Sequence, residues 1–198
     1  MTAPIDLTRK FGEGWCVTLA RLPADDALRH MGVEGPTDMP DGLAQATHRL
    51  TTRNNSDEPS VLLLAREAAP GWTLVLELEG TIGWIGMDPD VLGDLSADGG
   101  TACTIMRDPN QFVAMFAEDG HTTAGLDAVT GRRWGTPSDQ LAAALAGTGL
   151  PENDDDEPAD EIAHWSFSQY TVLALHAATG IQLHDEMFHN PWRGGSVH

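Results

Sequence analysis

From Trp72 to Glu79 apolar and polar side chains alternate, with Trp72, Leu74, Leu76 and Leu78 on one side of an extended chain and Thr73, Val75, Glu77 and Glu79 on the other. A period of two marks a β-strand that turns one face to a core, and it excludes a helix, whose same-face neighbours are three or four residues apart. Short apolar runs of the same kind stand at 61–66, 82–86, 101–106, 111–118 and 121–126. Asp119-Gly120 separates the last two, and a tight hairpin turn needs the positive φ that glycine supplies. The middle of the chain therefore reads as an antiparallel meander with one covered face, and Glu77 and Glu79 share the open one.

On either side of this block the pattern changes. Residues 14–20 read as a first strand, and 23–32 as a short helix with Pro23 in its first turn, Asp25 and Asp26 at its positive end and Gly32 as its stop. Residues 33–59 dissolve into Gly, Pro, Asp and Asn and read as a long loop, with Leu43, Ala46 and Leu50 the only helical spacing. After Trp134 helices dominate. One covers 140–146, an acidic linker follows at 151–159, and a longer helix runs over about 160–179 with Ala163, Phe167, Tyr170, Ala174 and Ala177 on one stripe. The expected fold class is α+β, with a central antiparallel sheet and helices mainly on one face. The core domain spans 1–150, a C-terminal helical segment at 160–189 packs on it, and 190–198 form a flexible tail.

Charge bears on function more than on fold. Thirty Asp and Glu face eleven Lys and Arg, a formal charge of −19, and no Lys or Arg stands between Arg133 and Arg193. Such a surface repels nucleic acid and anionic membranes and attracts basic proteins. Residues 1–10 hold no apolar core of a secretory signal, and no run approaches the roughly 18 apolar residues that span a bilayer, so the expectation is a soluble, cytoplasmic protein. The two cysteines, Cys16 and Cys103, lie inside apolar segments and read as buried thiols.

The chemistry-bearing residues do not assemble into a known motif. His184 and His189 flank Asp185 and Glu186, but five residues turn a helix by about 500° rather than the roughly 400° that would bring two histidines onto one ion. Asp88, Asp90, Asp94 and Asp98 lack the register of a calcium loop, since Val91-Leu92 follow Asp90. No Gly-x-Ser-x-Gly occurs, and Lys10 is the sole lysine, which rules out a phosphate-binding loop. No metal or cofactor is expected. Trp15, Trp72, Trp84 and Trp165 read as core; Trp134 and Trp192 lack apolar company and are candidates for a binding surface.

Gly14-Trp15-Cys16-Val17-Thr18, Gly71-Trp72 through Glu77 with Gly80, Gly83 and Gly86, Val91-Leu92 with Leu95-Ser96, and Ala177 through Leu183 together carry a resemblance over most of the chain. They resemble an uncharacterised, largely actinobacterial domain-of-unknown-function family of acidic α+β proteins, with departures at 33–59 and in the tail. The resemblance implies a bacterial cytoplasmic setting and a shared fold, and it transfers no catalytic site. The leading expectation is a non-catalytic binding protein that neutralises or regulates a basic protein partner, as an immunity protein or antitoxin does, through Asp154, Asp155, Asp156, Glu157, Trp134 and Trp192. The alternative is a small metal-assisted hydrolase or transferase using Glu77 and Glu79 on the exposed sheet face. Oligomeric state is left open.

Overall fold

A computed structural model describes residues 2–52, 60–80, 82–153, 156–189 and 191–198. Its strands are β1 (Trp15–Ala20), β2 (Thr37–Met39), β3 (Val61–Ala69), β4 (Trp72–Glu77), β5 (Thr101–Asp108), β6 (Gln111–Glu118), β7 (His121–Asp127), β8 (Arg133–Gly135) and β9 (Trp192–Val197). They form one antiparallel sheet in the order β2-β9-β3-β4-β1-β5-β6-β7-β8. The hairpin β3–β4 and the meander β5 to β7 follow the sequence pattern, and β8 extends it by a short edge strand that the pattern did not indicate. β1 instead slots between β4 and β5, with Cys16 opposite both Glu77 and Met106.

All six residues of β1 are buried, which explains why its sequence lacks the alternation of a half-exposed strand. Trp15, Val17 and Leu19 join Leu74, Leu76 and Ile105 on one face, beneath α1 (Leu7–Phe11), α3 (Gly42–Thr52), α5 (Asp139–Ala146) and α6 (Phe167–Thr179). Cys16 and Ala20 join Leu63, Val75 and Met106 on the other, beneath α2 (Ala24–His30) and α4 (Pro89–Asp94). The architecture is α+β with most helices on the first face, as the pattern predicts. The second face is not open, however, and Thr73, Val75 and Glu77 are all buried there.

Several segments differ from the sequence expectation. Residues 33–59, read as a loop, hold β2 and α3, while 53–59 lie outside the described residues. Gly42 lets α3 come down on the sheet, since a Cβ there would lie 2.9 Å from Leu64 Cδ2. Residues 82–86 make no strand but lead into a single 3₁₀ turn, Ile85–Met87. The supposed flexible tail is β9, seated between β2 and β3. Its Gly194-Gly195 permit that seat: a Cβ on Gly194 would come within 2.5 Å of Leu63 O, and one on Gly195 within 2.4 Å of Val33 Cγ1.

The C-terminal helix begins later than expected. Ser166 accepts from Gln169 N while Gln169 Oε1 accepts from Ser166 N, a reciprocal cap that starts α6 at Phe167 and leaves 160–165 as turns. It stops at Gly180, whose φ of 73° only glycine adopts without strain.

Candidate functional site

Glu77 is fully buried and Glu79 is 4 % exposed, so neither lies on an open sheet face, and the expected carboxylate pair does not exist as a pair. Glu77 sits on the α2–α4 face, where Oε2 accepts from Ile85 N and Oε1 from Gly86 N, both at 2.8 Å. Gly86 is pressed so close that a Cβ would stand 2.2 Å from Thr18 Oγ1. Thr18 and Thr104 hydroxyls share a 3.0 Å hydrogen bond beside it, and Cys16 Sγ lies 3.2 Å from Thr104 Oγ1. Burial pushes the Glu77 carboxyl up to about 7, against the two backbone donors, which favour its ionised form. Burial, then the Glu77 charge, raise the Cys16 thiol well above its ordinary range, which removes it as a nucleophile. The arrangement clamps the turn at 85–87 to the sheet.

Glu79 turns instead to α3. Arg49 Nε and Nη2 donate to its two oxygens at 2.8 and 3.2 Å, and the same guanidinium reaches Ser60 O and Oγ and Ser196 Oγ. This fork ties α3 to the strand ends, as a bidentate Arg–carboxylate contact is suited to do.

Trp192 is 2 % exposed, because β9 turns it into the core with Phe188 and Leu64, and it is no surface anchor. Trp134 is 37 % exposed. Its indole lies across Gly125, its partner on β7, where a Cβ would fall 2.1 Å from the ring. Gly125 is opposite Met115, which places the indole on the face that carries α4. Of the acidic linker, Asp154 and Asp155 lie outside the described residues, while Asp156 and Glu157 are exposed. Asp156 accepts from the backbone and side chain of Asn153. The linker leaves the core at Leu150, whose carbonyl accepts from Arg133, and its first residues run beside β8, with Glu152 lining the same cleft as Trp134.

Trp134 shares its sheet face with a different set of acids. Asp88, Asp90 and Asp94 on and before α4, Asp98 beyond it and Asp119 at the β6–β7 turn are all exposed. Folding brings the last of them to the others: Asp119 Oδ1 accepts from Gly99 N, Gly120 N donates to Ser96 O, and Thr122 Oγ1 donates to Pro89 O. Among the described residues none of these five carboxylates pairs with a cation, whereas Arg9, Lys10, Arg29, Arg49, Arg107 and Arg193 all pair with acids of the chain. The sequence held this edge in two places, the Asp88–Asp98 series and the Asp119-Gly120 turn; pattern alone does not reveal that a hairpin tip packs against α4.

The two C-terminal histidines stay apart. His184 Nδ1 lies 3.0 Å from Glu186, and His189 Nε2 lies 3.2 Å from Asp185, whose carboxyl is held below its usual range first by the hydrogen bond from Lys10. No three His, Cys, Asp or Glu side chains among the described residues gather to hold a metal ion. No described helix is long and apolar enough to cross a membrane.

A family model, DUF6461, described as a family of unknown function, matches residues 4–192. The chain belongs to DUF6461. The match takes in the sheet from β1 to the first residue of β9, with the Glu77 clamp, the Arg49–Glu79 fork and the α4 edge all inside it. No curated protein and no solved structure matches this member of DUF6461.

Proposed function

We propose that the chain is a non-catalytic acidic binding protein that neutralises or regulates a basic protein partner in the cytoplasm, in the manner of an immunity protein or antitoxin. One observation carries this reading: among the described residues Asp88, Asp90, Asp94, Asp98 and Asp119 pair with no cation, and they stand exposed on the face that also exposes Trp134. Unpaired surface acids of one sign steer a positive partner by long-range attraction, and an exposed indole supplies the apolar anchor that attraction alone lacks. Asp156 and Glu157, exposed on the linker, add to the same negative field. The burial of Glu77 and Glu79, each satisfied by groups of the chain, weighs against the hydrolase or transferase reading.

The test has two stages. Affinity capture at low ionic strength should yield a basic protein at near-equal stoichiometry. With that partner in hand, the association rate should fall steeply with added salt, and Asp88→Asn with Asp90→Asn and Asp94→Asn should slow association while changing dissociation little. A complex whose association rate ignores salt would falsify the reading.

A further inference from the structure

A cavity of about 700 Å³ lies between residues 2–5, α5, the C-terminal half of α6 and residues 182–184. Ile5, Val172, Leu173 and Leu183 give it apolar walls, and Thr148, His176, Gln182 and, at the rim beside Glu186, His184 supply polar groups. Size and lining match the sites that take drug-sized molecules: mostly apolar, with few polar groups to fix orientation. It stands on the opposite side of the sheet from Trp134 and the α4 edge, and it is independent of the protein-binding reading.

The imidazole of His176 indicates how a ligand is held. Its Nδ1 is buried and has no hydrogen-bond partner. A proton there would be a buried donor without an acceptor, so the neutral ring keeps its proton on Nε2, the nitrogen that is not buried. The site thus offers an N–H donor to an oxygen.

Charge narrows the ligand further. The chain carries −19, and the cavity lies against the carbonyl ends of α5 and α6, so an anion is repelled both at long range and locally. The same field attracts a cation, yet no Asp or Glu lines the cavity, although the chain has thirty, so a buried ammonium would lose its hydration without a carboxylate to pair with. We propose that this cavity binds a neutral, largely apolar small molecule through one hydroxyl or carbonyl oxygen that accepts from His176 Nε2.

Three probes with one apolar body test it: 2-naphthol, 2-naphthoate and 2-naphthylmethylammonium, titrated into methyl-labelled protein and followed by NMR. 2-Naphthol should shift the methyl signals of Ile5, Val172, Leu173 and Leu183 saturably, and both charged analogues should bind about tenfold more weakly or less. Ala144→Phe, which fills the cavity, should abolish the shifts; if that variant fails to fold, Ala143→Phe, at an exposed position of the same wall, makes the comparison. His176→Leu should weaken 2-naphthol by roughly threefold to tenfold, the worth of one neutral hydrogen bond, and leave naphthalene unaffected. Absence of saturable shifts at these methyls, their persistence in a folded Phe variant, a charged analogue binding as tightly, or equal 2-naphthol affinity in His176→Leu overturns the proposal.

Discussion

At the scale of single residues the chain's most constrained group is Glu77, a carboxylate with no cation, held by two backbone N–H groups. Its folded-state pKa of about 7 lies above an ordinary value near 4.5, so as pH rises through that interval the unfolded chain gives up the proton first. The Glu77 contribution to stability is therefore full below about pH 4.5, declines towards pH 7 and then levels, a loss on the order of 3 kcal/mol. Glu77→Gln cannot titrate, and its amide turns a donor towards one of two donors at a cost of about 1–3 kcal/mol. Urea unfolding across this pH range should show the variant least stable relative to wild type in acid, with the deficit shrinking as pH rises; a constant deficit would show that Glu77 does not titrate there. The alternation at 72–79 correctly marked Glu77 as opposite in facing to Leu76. It gave no sign of burial, because the cover comes from α2, from α4 and from the turn at 85–87, none of which a single strand's pattern encodes.

At the scale of elements, success and failure divide by what glycine means. Strands β3 to β7 and helices α5 and α6 were legible because their apolar spacing is local, and Gly120 and Gly180 mark a turn and a helix stop by their positive φ. Gly42, Gly194 and Gly195 look identical in sequence but mark close approach, a property of the neighbour rather than of the segment. So α3 and β9 were read as loop and tail. Gly195→Val should cost at least about 2 kcal/mol, with Val33 as the colliding group, and Val33→Ala should recover part of that loss, which a thermal-unfolding double-mutant cycle will show. Ser166→Ala, by contrast, should lose only about 1 kcal/mol, the worth of an N-cap, without altering the sheet.

At the scale of the whole molecule, the −19 charge makes folding and the proposed association respond oppositely to salt. Screening relieves self-repulsion among unpaired acids more than it weakens the short, partly buried Arg49 and Arg193 pairs. The melting temperature should rise when NaCl goes from about 20 to about 200 mM, while association with a basic partner slows. A melting temperature that falls with salt would mean that internal ion pairs, not repulsion, dominate. The place of β1 has a consequence in time as well as in space. On a ribosome this strand emerges before either of its neighbours, and it stays unpaired until Glu77 and then Met106 have been synthesised. Folding of such long-range pairings is slow, in the millisecond-to-second range, and Trp-Cys-Val-Thr-Leu-Ala, apolar on both faces, is the nascent segment most in need of a chaperone while it waits.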